Sequence, residues 1–543
     1  MAKSAIDNSL DAILEQLGDF GKYQKYVFTL VFIPIIMHSA VHVAYVFTAV
    51  DLTYRCEVPP CDSNSTTYEP DWLINAVPYS DGTPEKCDMY TYNSTQATNS
   101  SCSSDAFNTE EIVRCSSFIY ETNEASILQE YNLQCSNNLW KLTLVGTINS
   151  FGQFSGLFIA GALADRYGRK VILVWGMVLC AVCGLIRTAM PYYELFMVLE
   201  YLDAFFSSGT FITGFVLAAE LVGPKKRALA GSIACSGSAF GGIITSAAAW
   251  MLKSWRPLIY ALYTPCFLLI SYLWLIPESI RWNIEKGRIE EAKMTLRKIA
   301  KVNGKELSEK ALDQIDVAET EHKTNQNDTF IRAIKSRILL LRFLNSCVCW
   351  LSCAFLYYGL SLSSVTLASG NKYLNFLLTS LVEIPAMFLC IVLLPHFGSR
   401  RSLSAFYFLT GVACAAFIFI PSDAYVASLS VYLTGKFAAT AAFTAIYVLT
   451  TEMFPTVYRQ SFMNACSTVS RCGIMIAPQM PLLGAIWTNL PLVCFSAIAI
   501  VATFLTLLFP ETLNMKLPDT IEEAENMSKL RKGELKENRL QDK

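Results

Sequence analysis

Apolar runs of about 20 residues recur along this chain, separated by short polar turns and by two long polar segments. A helix needs ~20 mostly apolar residues to cross a bilayer. Such runs fall at 25–48, 143–163, 171–190, 194–219, 228–251, 257–277, 338–361, 373–395, 403–421, 425–450, 461–485 and 488–509, which predicts twelve spans. The first long polar segment, 49–140, follows span one; the second, 278–337, separates six spans from six. The opening "MAKSAIDNSLDAILEQLGDFG" is polar and acidic, without the basic start and cleavage site of a signal peptide, so span one is expected to remain as an anchor.

Composition agrees. The 543 residues are 53% hydrophobic and 16% charged, with a mean hydropathy of +0.36, whereas soluble domains carry about 25% charged residues. The net charge of −2 says nothing about partners, but its distribution sets orientation. Segment 49–140 has only Arg55, Lys86 and Arg114 as cations, while 278–337 carries thirteen Lys or Arg. The turns "DRYGRK" (165–170), "GPKKR" (223–227) and "SRR" (399–401) are basic too. The positive-inside rule places these turns and both termini in the cytoplasm and segment 49–140 outside.

The outer segment fits an oxidising compartment. It holds six cysteines, Cys56, Cys61, Cys87, Cys102, Cys115 and Cys135, expected to pair as disulfides of open connectivity. Three N-glycosylation sequons, at Asn64, Asn93 and Asn99, lie in the same loop. The sequon at Asn327 falls on the inner side and is discounted. The other twelve cysteines read as small apolar packing residues.

The organisation is therefore a cytoplasmic N-terminus (1–24), a six-helix bundle (25–277) including the glycosylated loop 49–140, a cytoplasmic loop (278–337), a second six-helix bundle (338–509) and a cytoplasmic tail (510–543). The halves echo each other. "GALADRYGRK" (161–170) after span two corresponds to "LLPHFGSRRS" (393–402) after span eight, and "AAELVGPKKR" (218–227) to "TTEMFPTVYR" (451–459 for TEMFPTVYR). Asp165, Glu220 and Glu452 can pair with arginines of neighbouring loops, among them Arg227 and Arg459, either as a latch between conformations or as ordinary loop-capping pairs of small energy. Two-halved membrane chains of this kind are common among carriers, which bind substrate near the midplane between repeats.

"GALADRYGRK", with Asp165, Arg166, Gly168, Arg169 and Lys170, resembles the loop motif of the major facilitator superfamily. "IPESIRWNIEKGRIEEA" (276–292, with Glu278 and Arg281), the cysteine-bearing loop and "PETLNMKLPDTIEEAE" (510–525) are similar to the organic cation/anion/carnitine transporters, solute carrier family 22. The resemblance spans nearly the whole chain. It implies an all-α membrane protein of the major facilitator fold, with twelve transmembrane helices in two six-helix halves and cytoplasmic termini. It implies a plasma-membrane transporter of organic ions working by alternating access. Asp165, Arg166, Arg169, Glu220, Arg227, Glu278, Arg281, Glu452 and Arg459 would form its conformational latch. His396 departs from the pattern, standing where a strict repeat would put aspartate, and weakens the latch in the second half.

"LYYGLSL" (356–362), "LVEIPA" (381–386) and "STVSRCG" (467–473) are most similar to the carnitine and zwitterion-handling branch. The anion branch also has arginine at the Arg471 position, and the cation branch aspartate. A charge at mid-span costs at least ~2.5–3.5 kcal/mol, so it must face a cavity, water or a partner. Arg471 can grip a carboxylate with two hydrogen bonds, or pair permanently with Glu200, Asp203 or Glu383. Glu383, just before Pro385, reads as a cation or proton site or as the partner of Arg471 or Lys436. Lys436 opens span ten in "LTGKF" and either snorkels from the helix end or lines the pocket. His42 shares a helix face with His38 and occupies a substrate-facing position by resemblance. Trp350, Tyr357 and Tyr358 in span seven, Phe443 and Tyr447 in span ten, and Phe211 in span four offer rings to an ammonium group. A zwitterion is the expected substrate, with an organic anion or a broad range of organic cations as alternatives.

There is no GxxxxGK[ST] phosphate loop and no HExxH, and only four histidines, so neither an ATP-driven pump nor a zinc enzyme is indicated. No cofactor is expected. The expected partners are a small organic ion and the lipid bilayer, not nucleic acid. A coupling Na+ or H+ has no linear signature here, and a monomer is the simplest oligomeric reading. Paired halves with matching loops favour a carrier over a channel; a non-transporting receptor of the same fold is the other reading, and uptake of labelled organic ions separates the two.

Overall fold

The computed structural model describes residues 10–527 other than 11, 19, 63–66, 81–82, 93–101, 223–225, 308–334, 367–369, 422–423, 457, 514, 516 and 519. Twelve helices among them are long and apolar enough to cross a membrane. They are Lys22–Thr48, Ser136–Tyr167, Arg169–Arg187, Tyr193–Glu220, Ala230–Leu252 and Trp255–Leu275, then Arg337–Thr366, Lys372–Phe397, Ser399–Ile418, Tyr425–Met453, Arg459–Ile486 and Leu490–Leu507. Each overlaps one apolar run read from the sequence. The largest boundary change is in span two, which begins at Ser136 instead of 143.

The spans pack around two cores, one containing Phe196, Trp255 and Tyr263 of the first six helices and reaching Tyr373 and Phe376 of span eight, the other Trp350, Tyr407 and Phe495 of the last six. Phe158, Trp175, Phe408 and Phe504 point outward and are exposed. Lipid tails are as apolar as these rings, so the spans hold together by close packing more than by expulsion of water. Span two illustrates this: a Cβ on Gly152 or Gly156 would strike the backbone of Tyr201 or Phe205 in span four.

Two breaks position the site. Span eight is a helix Lys372–Leu381 followed by a second helix Glu383–Phe397. Pro385 has no N–H for the Leu381 carbonyl, which ends the first helix and sets Glu383 at the start of the second. The turns after spans two and eight reverse at Gly168 (φ +108°) and Gly398 (φ +85°), backbone angles that favour glycine.

The 49–140 segment makes the chain mostly helical rather than all-α. Short antiparallel strand pairs join Tyr54–Cys56 to Phe118–Tyr120, Tyr79–Ser80 to Thr83–Pro84, and Asp88–Tyr92 to Phe107–Arg114. Their small core holds Val58, Leu73, Val77 and Phe107. So little apolar burial needs staples, and the six predicted cysteines supply them: Cys56–Cys115, Cys61–Cys102 and Cys87–Cys135. A buried Arg55–Asp62 pair at 2.8 Å adds a polar anchor. The sequons at Asn64, Asn93 and Asn99 lie outside the described residues. At the other end, Leu10, Ile13, Leu14 and Leu17 pack into the first core, and Asn303 of the helix Ile289–Asn303 donates to the Leu17 carbonyl at 2.9 Å.

Candidate functional site

Half-buried polar and aromatic side chains of spans one, two, four, seven, ten and eleven come together between the halves. Tyr357 and Phe443 lie 5.0 Å apart by ring centroids, Phe443 and Tyr447 5.4 Å, and Tyr357 and Tyr358 5.0 Å. His42 meets Tyr358 edge-on at 6.2 Å across the interface between halves, and His38 stacks on His42 and lies tilted beside Phe211. Arg471 sits within electrostatic range of His38, His42, Tyr358 and Tyr447. Among the described residues no acidic side chain pairs with it, and its buried Nε has no hydrogen-bond partner.

The three acids considered as permanent partners of Arg471 are engaged elsewhere. Glu383 lies 2.8 Å from Lys436 and accepts a 2.7 Å hydrogen bond from the Tyr357 hydroxyl. Glu200 and Asp203 both pair with Arg187 at the end of span three.

Lys436 neither opens its span nor snorkels. Span ten begins at Tyr425, and the lysine side chain is fully buried one-third of the way along it. Besides Glu383, its ammonium donates to the Tyr357 carbonyl at 3.0 Å and to Ser361 Oγ at 2.6 Å, and it sits 3.6 Å over the Tyr357 ring. The site therefore does not present a free Glu383 opposite Arg471; the carboxylate is neutralised beside the aromatic cluster. Trp350 is only 1% exposed, donates from Nε1 to Thr450 Oγ1 at 2.9 Å, and supports Tyr447 from behind at 4.3 Å.

The loop acids form two matching constellations, one in each half. In the first, Glu278 accepts from the N–H groups of Arg169 (3.0 Å) and Lys170, closing the start of span three. Ser279 Oγ donates to Glu220, Arg169 lies 4.0 Å from Glu220 and 3.6 Å from Asp165, and Trp282 Nε1 donates to the Asp165 carbonyl. Arg281 lies in electrostatic range of Glu220. Arg166 points away, over the Tyr167 ring. The side chain of Arg227 lies outside the described residues. In the second half Thr512 Oγ1 donates to Glu452 at 2.6 Å, and Glu511, against Gly398, pairs with Arg401 at 3.2 Å. Arg459 opens span eleven, and His396 turns back to the Val392 carbonyl at 2.7 Å. "PES" (277–279) and "PET" (510–512) are thus equivalent, a match visible in the sequence but not drawn from it.

At the end bearing the 49–140 insertion, the halves are joined directly. Gln479 Nε2 donates to Thr147 Oγ1 at 2.6 Å, Gln479 Oε1 accepts from Thr143 at 3.0 Å, and Thr147 donates to the Met475 carbonyl at 3.0 Å. Ser246 donates to the Tyr373 carbonyl at 2.5 Å, and Lys372 pairs with Glu124. Folds of this kind expose one site between their repeats to each side in turn, and in this arrangement the halves are in contact at the insertion end.

Residues 125–478 match the Major Facilitator Superfamily family model. The chain is 32% identical to the Organic cation transporter protein of Drosophila melanogaster, over 96% of this chain and 95% of that one. It is 30% identical to human Organic cation/carnitine transporter 2 (94% and 93% covered) and 30% identical to human Solute carrier family 22 member 2 (97% of each). The chain belongs to solute carrier family 22 of the major facilitator superfamily. As a member of that family it is a multi-pass transporter of small organic ions and not an enzyme. The fold agrees with the E. coli xylose transporter XylE in a partially occluded inward open form, with a TM-score of 0.59, 13% identity, and 91% of this chain and 100% of that one covered.

Within this family 22 site, the sequence reading missed Asn149 and Gln153 of span two, which contact His42, and the span-joining Thr143, Thr147 and Gln479. A polar residue every three to four positions in an otherwise apolar helix (Thr143, Thr147, Ser150, Gln153) was the available signal.

Proposed function

We propose that this chain carries small zwitterions of the carnitine or amino-acid type across the plasma membrane by alternating access, with its termini in the cytoplasm and the 49–140 loop outside. The observation that carries this reading is Arg471: a guanidinium without an acidic partner, in range of the aromatic cluster. Arg471 holds the carboxylate end, and Tyr358, Phe443, Tyr447 and Phe211 hold the ammonium or apolar end by ring contact, worth ~0.5–2 kcal/mol per cation–ring pair. His42 hydrogen-bonds the polar end. Lys436, Glu383, Tyr357 and Trp350 fix the rings in place. With the loop outside, the described arrangement is the one closed to the exterior, and the Glu278–Arg169–Glu220 and Glu511–Arg401 constellations hold each half rigid as the halves rock.

The neutralisation of Glu383 by Lys436 favours a second reading, an organic-anion carrier, because the remaining charge in the cavity is positive. Uptake of labelled L-carnitine, a monovalent aromatic carboxylate and tetraethylammonium into oocytes separates the readings. Saturable carnitine uptake inhibited by both single-charge compounds supports the zwitterion carrier. Uptake of the carboxylate alone supports the anion carrier. Uptake of tetraethylammonium alone overturns the role given to Arg471.

A further inference from the structure

The first half contains a buried ionic cluster that the cavity residues do not use directly. Arg187 of span three, Glu200 and Asp203 of span four and Tyr263 of span six are each no more than 2% exposed. Arg187 Nη1 contacts Glu200 Oε2 and lies 3.2 Å from Asp203 Oδ2, and Nη2 donates to the Tyr263 hydroxyl at 3.1 Å. That hydroxyl donates to Asp203 at 2.6 Å, and the Cys180 thiol donates to its other oxygen at 2.8 Å. Cys183 and Cys266 complete the titratable groups facing the acids from spans three and six.

The charge count does not close. Two carboxylates share one guanidinium, and an uncompensated buried charge is strongly unfavourable. The remaining neighbours, Tyr263, Cys180 and Asn149, are neutral donors. Each carboxylate already contacts protein donors on both oxygens, so a proton on one of them balances the count without displacing any of these contacts. Arg187 Nε has no hydrogen-bond partner and is buried, so the guanidinium holds a spare donor for whichever carboxylate is ionised.

The cluster also reaches His42 of the candidate site. Asn149 Nδ2 donates to Glu200 Oε1 at 2.8 Å, and Asn149 Oδ1 lies 3.1 Å from His42 Nδ1. An ionised Glu200 only accepts, which fixes the Asn149 amide and makes His42 carry its proton on Nδ1. Gln153 Nε2 lies 2.5 Å from the same nitrogen; in this tautomer the Gln153 amide turns to place its carbonyl oxygen there, and in the other it stays as it stands and donates. His42 Nε2 is left as a bare acceptor. A protonated Glu200 donates to Asn149 Oδ1 instead, the amide reverses so that Asn149 Nδ2 donates to His42 Nδ1, and His42 gives up its Nδ1 proton to solvent and takes one back at Nε2, which becomes a donor.

We propose that Arg187, Glu200 and Asp203 form a proton-binding site whose occupancy is relayed through Asn149 to His42, coupling the proton to the charge of the group bound beside Arg471. The carrier thus moves a proton with its organic ion. The proton site stands without the zwitterion assignment; the coupling rests on the carrier reading. Infrared difference spectroscopy of the purified protein, titrated with pH in water and deuterium oxide, tests it without any substrate. A protonated-carboxyl band that titrates, shifts in deuterium oxide and disappears in Glu200→Gln or Asp203→Asn is expected. Absence of such a band in the unaltered protein, or its persistence in both variants, overturns the site. Unaltered protein suffices for the first arm if a variant fails to fold. In proteoliposomes, labelled L-carnitine uptake should accelerate under an inward proton gradient. Uptake indifferent to the gradient overturns the coupling while leaving the carrier reading intact. Absence of carnitine uptake overturns the zwitterion assignment, and the infrared titration still decides the proton site.

Discussion

Lys436 and Glu383 face each other at 2.8 Å, with the lysine fully buried and the glutamate 5% exposed, directly behind the Tyr357 ring. The pair links the broken helix of span eight to the middle of span ten, and so fixes the wall on which the aromatic cluster stands. Removing one partner of such a pair strands the other charge at a cost of about 3–5 kcal/mol. Glu383→Gln and Lys436→Ala are each expected to lower thermal stability and surface expression. Carnitine and tetraethylammonium uptake should fall together. The double variant Glu383→Gln with Lys436→Met should recover most of the stability, measured by thermal unfolding in detergent. A selective loss of cation uptake in Glu383→Gln, at normal surface level, would show that the carboxylate serves the substrate instead.

Arg471 is expected to behave differently. Its loss should leave folding intact, because no acid is stranded. A hydrogen bond to a charged group contributes about 1.5–3 kcal/mol, so Arg471→Gln should raise KM for carboxylate-bearing substrates by roughly 10- to 100-fold. Arg471→Lys should rescue poorly, since an ammonium lacks the planar fork. Concentration-dependent uptake, normalised to surface protein, checks both; an unchanged KM for carboxylates in Arg471→Asp would remove Arg471 from the binding site.

The contrast between these residues shows what a linear reading can reach. The twelve spans, the two halves and the outer cysteines were legible because bilayer thickness and redox compartment impose strong, local patterns. Arg471, the aromatic residues and His42 were singled out by position, and the structure brings them near one another between the halves. The pairing of charges was not. From the sequence, Glu383 had two cationic candidates and Arg471 three acidic ones, and only the packing of spans eight and ten selects Lys436. Arg187, near a predicted span end, drew no reading from the sequence, and only the packing of span four brings two carboxylates against it. The loop residues around "PES" were grouped by resemblance alone; their contacts, and the part Glu511 and Thr512 of "PET" play in the second half, join segments more than fifty residues apart, which no periodicity reveals.

The disulfides of the 49–140 loop predict a folding defect distinct from a transport defect. Cys87–Cys135 closes 48 residues and anchors the loop at the start of span two. Loss of a bridge of this kind typically costs about 2–4 kcal/mol, more than the small core around Val58, Leu73 and Phe107 can absorb. Cys87→Ser or Cys135→Ser should cut surface biotinylation sharply, and the double variant no further than either single one. Protein that does reach the surface should transport with an unchanged KM, because the aromatic cluster is remote from the loop.

The contact between Gln479 and the two threonines of span two should open and close in each transport cycle. Thr143 and Thr147 lie one turn apart on span two, and Gln479 hydrogen-bonds both across the interface between halves. If this end seals the cavity, fixing it shut must stop turnover without harming the site. In Thr143→Cys with Gln479→Cys, an oxidant or a short bifunctional thiol reagent should abolish uptake, and reduction of the formed disulfide should restore it. The same reagent should leave either single variant active. Substrate binding to the locked protein from the opposite side should survive, measured by labelled-ligand binding to inside-out vesicles. Full uptake after complete cross-linking, verified by the mobility of a protease-nicked chain on a gel, would show that these spans do not separate during transport.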